Sequence, residues 1–189
     1  MILTKEYLDE QRDCIQRNFD GYKRNSKDPV TIKRLQNIRS FIMDFSPTYS
    51  RILSVGCGGF EPGWIGADYA CDVHELSGRI LLEQGWAGHF CVCSCDDIPY
   101  PAKFFKVAVC SEVIEHLPAK ETARAAFYEL DRVADHWLVT TPARDVGEPT
   151  HKFIFTEDDL RGMTSGLKCL IERQGLFFYI HNGIQPLFD

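Results

Sequence analysis

The amino-acid sequence predicts an α/β fold in which a mostly parallel sheet lies between two layers of helices. From about residue 50 onward, short runs of β-branched and apolar residues alternate with helical stretches. Such alternation is typical of parallel sheets that are covered on both faces. A glycine-rich turn follows the first of these runs directly, which is where such sheets bind ligands. Near the C-terminus, two apolar runs around a glycine predict a hairpin and therefore an antiparallel C-terminal strand.

Five strands are predicted from the apolar runs, over residues 51–55, 64–68, 89–95, 106–110 and 136–141. Helical periodicity indicates helices over 76–84 and 120–133, and Thr156 is a suitable N-cap for a third. The hairpin is predicted over 168–172 and 176–181.

The first 48 residues are predicted to form an N-terminal helical cap, followed by a main domain over residues 49–189. One helix is expected within residues 4–26, and a second begins where Asp28 can act as N-cap with Pro29 as the first residue. The charged first helix is predicted to present a solvated face. The alternative is that its Tyr7, Tyr22 and Arg24 close over a ligand site.

Composition limits the classes of partner. The chain has 189 residues, of which 44% are hydrophobic and 25% are charged, as in ordinary globular domains. Its net charge of −6 does not favour nucleic acid, whose binding proteins usually carry a basic face. No apolar run reaches the roughly 18 residues that a membrane span needs. We therefore expect a cytoplasmic protein that acts on a small molecule, with no membrane partner.

The eight cysteines are expected to be reduced, because nothing in the sequence indicates a secretory signal. Cys91, Cys93 and Cys95 alternate within a predicted strand, which would place three thiols on one face. A metal cluster would need CxxC loops and further converging ligands. Small buried hydrophobic residues are the better interpretation, and no metal site is predicted.

The glycine turn at residues 56–59 is the segment that most strongly indicates a ligand-binding site. Glycines there let the backbone turn sharply and approach a ligand closely. It is not a phosphate loop, because no Gly-Lys-Ser/Thr follows. It is also a poor dinucleotide fingerprint, since Glu61 occupies the position of the third glycine and Pro62 follows.

Six segments, in order over about residues 50–180, resemble the class I S-adenosylmethionine (SAM)-dependent methyltransferases. RILSVGCG at 51–58 is similar to that family's first motif, VLDVGCG, and Asp68 is similar to the acid that ends its second strand. DIPYP at 97–101, the stretch FKVAVCSEVIEHLP at 105–118, TTP at 140–142 and FTEDDL at 155–160 are similar to later segments. The resemblance implies a Rossmann-like three-layer sandwich that transfers a methyl group from SAM to a small or medium-sized acceptor, leaving S-adenosylhomocysteine (SAH).

The same resemblance implies a set of cofactor-binding residues. Asp68 would bind the ribose hydroxyls, with Asp72 as the rival. Ser94, Cys95 and Asp96 would lie near adenine. The full set is Val55, Gly56, Cys57, Gly58, Gly59, Asp68, Tyr69, Ser94, Cys95, Asp96, Ser111 and Glu112. No catalytic residue is assigned; the candidates for a general base are His151, His116 and Glu112, although a Glu-His pair after the fourth strand more often packs and caps.

Some residues depart from the family pattern and keep other hypotheses open. Ser54 replaces the usual aspartate, Ser94 replaces an aspartate that contacts adenine, and the short link from Gly58 to Asp68 leaves room for only an abbreviated crossover helix. A methyltransferase-like binding module without catalysis is therefore the first alternative. A nucleotide-dependent oxidoreductase is the second, disfavoured by the residues after the glycine turn. DNA base methylation is disfavoured because no Asn/Asp-Pro-Pro-Tyr motif is present.

Overall fold

A seven-stranded sheet with helices on both faces forms the body of the protein. The structure is a computed structural model and describes residues 3–21, 27–48 and 50–188. The sheet order is β3-β2-β1-β4-β5-β7-β6, and only β7 runs against its neighbours. The strands are β1 Ile52–Val55, β2 Tyr69–Asp72, β3 His89–Val92, β4 Phe105–Ser111, β5 Ala134–Pro142, β6 Leu170–Gln174 and β7 Phe177–His181. The predicted fold class, with its antiparallel C-terminal strand, is confirmed.

The described helices begin and end at residues that favour those positions. They are α1 Lys5–Asp20, α2 Pro29–Phe45, α3 Glu61–Ile65, α4 Glu75–Gln84, α5 Lys120–Val133 and α6 Glu157–Met163, with a 3-10 turn over Ile114–His116. Asp28 caps α2 by accepting a bond of 2.8 Å from the Thr31 amide, as predicted. Thr156 caps α6 and exchanges bonds with Asp159 in a capping box.

Helix α1 ends earlier than the predicted span of residues 4–26. Its last residue is Asp20, and Gly21 donates its amide to the Arg17 carbonyl at 2.9 Å. Tyr22 and Arg24, which were considered as residues that close over a site, lie outside the described residues. No described helix is long and apolar enough to span a membrane.

The predicted second strand over residues 64–68 is wrong. Trp64 and Ile65 are instead the last residues of helix α3, which has Pro62 in its first turn. The helix ends at Gly66, a glycine in the left-handed region with φ of 77°. The strand starts only at Tyr69 and ends at Asp72. The expected abbreviation of the first crossover is confirmed, because α3 is only five residues long.

Successive residues of the central strands point to opposite helical layers. On one face, Val107 and Val109 pack with Leu35, Ile38 and other apolar residues of α2. On the other face, Ala108 and Cys110 pack with α5 and α6. Helix α2 is thus packed on the sheet itself, and the boundary predicted at residue 48 stays a prediction.

Candidate functional site

A cavity of about 570 Å³, including its open mouth, lies at the carboxyl ends of β1, β2 and β4. The sheet order reverses between β1 and β4, and such a point is where open α/β sheets bind ligands. The loops after β1, β2, β3 and β4, together with α1, form its walls. The lining residues are Tyr7, Gln11, Cys14, Ile15, Asn18, Gly56, Gly58, Asp72, Val73, Cys93, Cys95, Glu112, Val113, His116 and Leu117.

The glycine turn requires glycine at its first position. Gly56 has φ of 65°, and a Cβ there would lie 2.5 Å from Cγ2 of Val113. A side chain at this position would therefore be strained and would clash. The turn is fixed to β2, because the amides of Gly56 and Cys57 donate to the Cys71 carbonyl at 2.9 and 3.3 Å.

Asp72, and not Asp68, lies in this cavity. Asp72 ends β2, is 6% exposed, and accepts a bond of 3.0 Å from the Gly58 amide. Asp68 precedes β2 at the amino end of the sheet, where its carboxylate accepts from the amides of Arg51 and Ile52. The predicted ribose contact of Asp68 is thus corrected, since the misplaced second strand put the wrong acid at the carboxyl edge.

The structure brings some of the other predicted residues to the cavity and separates others. Gly56, Gly58, Cys95 and Glu112 line it. Tyr69 does not line it; its ring stacks on His89 with centroids 4.4 Å apart. The remaining predicted residues are not among the described residues that line the cavity. They are Val55, Cys57 and Gly59 at the turn, Ser94, which is hydrogen-bonded to Asp96, and Ser111, which is buried beneath the site.

Helix α1 contributes a wall of the cavity, which the sequence analysis treated only as the alternative to a solvated face. Tyr7 lines the cavity, as the alternative for this helix suggested, and burial raises its pKa to well above the ordinary value of a tyrosine. Ion pairs fasten the helix to the loop after β5: Arg17 pairs with Glu148, and Glu10 pairs with Lys152 at 2.7 Å. Charged residues occur all around this helix, so its sequence shows no apolar periodicity that would have indicated the contact.

The strand β3 is shorter than predicted, and this brings a cysteine to the cavity. Because β3 ends at Val92, Cys93 lies in the following loop and lines the cavity together with Cys95. The thiols of Cys91 and Cys93 are 3.9 Å apart. All eight cysteines are free thiols, and five of them are buried.

A buried polar network beneath the turn accounts for Ser54. The Ser54 hydroxyl donates to Glu61 at 3.3 Å, and Glu61 pairs with Arg34 at 3.5 Å. Arg34 also donates to Ser111. The carboxylate that the family pattern has at position 54 is thus supplied from position 61, on the first turn of α3. Although Ser54 replaces the aspartate of the family pattern, the base of the turn therefore still contains an acidic residue, Glu61.

Burial raises the pKa of Glu61 to about 7, although Arg34 opposes the shift. A raised carboxyl pKa lowers stability as the pH rises from the unfolded value of 4.5 to 7, because folding then has to take up a proton. We expect the unfolding free energy of Glu61→Gln to lack this decline. Between pH 5 and 8, the unfolding free energy of the parent should fall by roughly 2–3 kcal/mol more than that of the variant. Urea denaturation at both pH values measures this difference, and parallel pH profiles would contradict it.

Glu112 shows how the loop after β4 is held. It is a non-glycine residue with φ of 58°, a conformation that costs energy and is common at functional sites. Its amide donates to the Thr140 carbonyl at 3.0 Å, and its carboxylate accepts from the Thr140 hydroxyl at 2.9 Å. Burial raises the pKa of Glu112. The residue closes the floor of the cavity beside the glycine turn.

The candidate bases His116 and His151 come together beside Glu115. The imidazole centroids are 4.7 Å apart and nearly perpendicular, and His151 Nε2 is 3.9 Å from Oε1 of Glu115. Burial, followed by the neighbouring His151, lowers the pKa of His116 to about 4. Burial also lowers the pKa of His151 and raises that of Glu115. Both histidines were predicted as candidate bases, whereas Glu115, which lies on the same 3-10 turn as His116, was expected only to pack and cap.

No family model and no curated protein matches the sequence. Many solved structures match the fold. The magnesium protoporphyrin IX methyltransferase ChlM from Synechocystis PCC 6803, solved with bound SAM, is 15% identical with a TM-score of 0.64 over 96% of this chain and 98% of that chain. The N-methyltransferase NodS from Bradyrhizobium japonicum WM9, in complex with SAH, is 16% identical with a TM-score of 0.66 over 93% and 96%.

A SAM-dependent methyltransferase from Aquifex aeolicus is also similar, with 19% identity and a TM-score of 0.52 over 82% of this chain and 97% of that chain. These likenesses extend over nearly the full length of each neighbour, so the helices that precede β1 are part of the shared architecture in the first two. Together with the strand order, they show that the chain has the fold of the class I SAM-dependent methyltransferases.

Proposed function

We propose that this chain binds SAM in the cavity at the carboxyl edge and transfers its methyl group to a small acceptor. The observation that carries the proposal is the pairing of the glycine turn with a buried carboxylate. Asp72 faces the cavity from the end of β2, and the turn is held to it through the Gly58 amide.

The residues present fit this cofactor. Gly58 lines the cavity, and a Cβ built there would meet only Cε1 of Phe60, at 3.9 Å, so a ligand has room to approach the backbone of the turn at this position. Asp72 accepts from the amides of Gly58 and His74 and, weakly, from the Cys57 thiol at 3.9 Å, and a ribose diol at the cavity would compete for this carboxylate with stronger hydroxyl donors than the thiol. The contacts of Ser94, Cys95 and Asp96 with adenine remain predictions.

The chain's own part in the reaction is positioning. Bound SAM supplies a methyl group that its sulfonium already activates. The loop residues Glu112 and Val113 hold the floor, and α1 covers the cavity and limits the entry of water. Because α1 is fastened to the loop after β5, the remaining opening suits a small molecule better than a folded macromolecule. The net charge of −6 likewise disfavours nucleic acid.

Isothermal titration calorimetry tests the cofactor assignment. We expect SAH to bind with one site per chain and a micromolar Kd, and we expect no heat from NAD⁺ under the same conditions. Binding of NAD⁺ would favour an oxidoreductase. A folded protein that binds neither ligand would contradict the proposal and favour a binding module that has lost catalysis. Methyl transfer itself is then measured by screening small acceptors with methyl-labelled SAM.

A further inference from the structure

A glutamate and two histidines converge at the edge of the cavity in a way that methyl-group chemistry does not require. Glu115 and His116 come from the 3-10 turn after β4, and His151 comes from the loop after β5. One potential ligand atom of each lies within 4.8 Å of those of the other two. No other such group of histidine, cysteine, aspartate or glutamate side chains occurs among the described residues.

Two atoms of this group are buried without a hydrogen-bond partner in the described part of the chain. They are Oε1 of Glu115 and Nδ1 of His116. Glu115 is only 1% exposed, so its carboxyl oxygen cannot be satisfied by bulk water. An unsatisfied buried acceptor costs about 1–3 kcal/mol, and native structures contain few of them. Because ligand atoms of these residues also converge to within 4.8 Å, the two orphaned atoms point to a ligand that both residues could bind.

The backbone fixes the three side chains in place. The Glu115 carbonyl accepts from the amides of Lys152 and Phe153 at 2.7 and 3.2 Å, which holds the His151 loop against the turn. The second carboxyl oxygen of Glu115 accepts from the Thr141 hydroxyl at 3.1 Å. Hydrogen bonding of this kind orients a metal-ligating carboxylate and leaves its other oxygen free.

We propose that Glu115, His116 and His151 bind a divalent first-row transition metal ion such as Zn²⁺. Two imidazoles and one carboxylate suit this class of ion, whereas Mg²⁺ and Ca²⁺ prefer oxygen ligands alone. Around a tetrahedral zinc ion, neighbouring ligand atoms lie about 3.3 Å apart. Small side-chain rotations therefore bring the three groups to coordination distance.

Three protein ligands leave at least one coordination position open. His116 lines the cavity, so this position faces the space in which an acceptor would lie. An acceptor hydroxyl bound there would lose its proton to solvent more readily, because the ion would stabilise the resulting oxyanion. That oxygen would then form a bond to the methyl carbon of SAM as the sulfur–carbon bond breaks, leaving SAH. This role of the ion rests on the proposed methyl transfer, but binding of the ion does not, so the two are tested separately.

The test is titration of chelator-treated full-length protein with Zn²⁺ alone by calorimetry, and with Co²⁺ alone by visible absorption. Both are done without SAH, so failure of the cofactor proposal would not affect the result. We expect one site per chain with the d–d bands of a nitrogen and oxygen site. We expect Glu115→Gln and His151→Ala to raise the Kd at least about 10-fold, the lower limit seen when groups that support metal ligands are removed.

His136→Ala is the matched control. His136 also has a buried unpartnered Nδ1 within the described chain, but it stacks on Phe45 and belongs to no ligand group. Its substitution should leave the metal Kd unchanged. A second control, Cys91→Ser with Cys93→Ser, removes the neighbouring thiols, and melting curves establish that each variant folds. No binding, binding unaffected in Glu115→Gln and His151→Ala, or binding lost only with the cysteines would each overturn the proposal.

Discussion

Replacement of Arg34 by methionine is expected to lower the unfolding free energy by about 3–5 kcal/mol at pH 8, because it breaks a buried ion pair from one side. Arg34 is 7% exposed and Glu61 is 5% exposed, so neither charge is compensated by solvent. Without the guanidinium, Glu61 keeps only the neutral hydroxyls of Ser54 and Ser111 among its described partners. Ser111 also loses the bond that Arg34 donates to it.

The decrease in unfolding free energy caused by Arg34→Met should be smaller at pH 5 than at pH 8. A buried carboxyl that loses its cation protonates more easily, and the neutral acid costs less to bury than the anion. Glu61 already has a pKa raised to about 7, so the proton is taken up before the domain reaches acid conditions. The double variant Arg34→Met with Glu61→Gln should therefore recover part of the stability at pH 8.

Urea denaturation of the three proteins at pH 5 and pH 8 measures these effects. Arg39→Met is the matched control, because Arg39 lies on the same helix with an exposed side chain. Its effect should stay within about 0.5 kcal/mol. If Arg34→Met cost less than about 1 kcal/mol at pH 8, the ion pair would not be what holds the base of the glycine turn.

Local signals were sufficient for the elements whose ends carry a chemical marker. Helix α5 was predicted with its observed bounds, Lys120–Val133, because its apolar residues keep a helical period up to the start of β5. Asp28 and Thr156 were predicted as caps because their side chains accept backbone amides in the helix start itself. These interactions involve residues three or four apart, so tertiary contacts do not change them.

The second strand could not be placed from local pattern alone. The apolar residues around Trp64 and Ile65 fit a strand as well as a short helix, and periodicity does not separate the two over five residues. In the fold, Gly66 ends α3 and Tyr69 starts the strand. The error moved the acid that was expected at the carboxyl edge by four residues, since Asp72 lies there and Asp68 does not. Asp72 had been considered, but only as the rival.

The parts of the site that sequence reasoning missed depend on distant residues. Arg34 and Glu61 are 27 positions apart, and His151 reaches Glu115 across the whole of α5 and β5. No short spacing links these pairs, and neither histidine lies in a recognised metal motif. Glu115 and His151 meet only through the sheet order, which brings the loops after β4 and β5 to one edge.

Replacement of Asp72 by alanine is expected to raise the Kd for SAH at least about 100-fold. Hydrogen bonds to a charged acceptor contribute about 1.5–3 kcal/mol each, and a ribose diol would donate two of them to one carboxylate. The loss of about 3 kcal/mol corresponds to roughly two orders of magnitude in affinity. Calorimetric titration of the variant with SAH measures the change. This prediction rests on the proposed cofactor. The parent protein is titrated with SAH first, so failure of the cofactor proposal is distinguished from failure of the Asp72 assignment.

Asp72 also holds the turn, so a loss of affinity could arise from a displaced loop. Asp72→Asn separates the two roles, because the amide keeps one oxygen that can still accept from Gly58 or from one ribose hydroxyl. We expect its affinity for SAH to lie between those of the parent and Asp72→Ala, with a melting temperature close to that of the parent. Asp68→Asn is the matched control at the opposite edge: it should lower the melting temperature, since Asp68 caps the amides of Arg51 and Ile52, and should leave the Kd unchanged. Weakened SAH binding in Asp68→Asn with full affinity in Asp72→Ala would return the ribose contact to Asp68 and contradict the placement of β2.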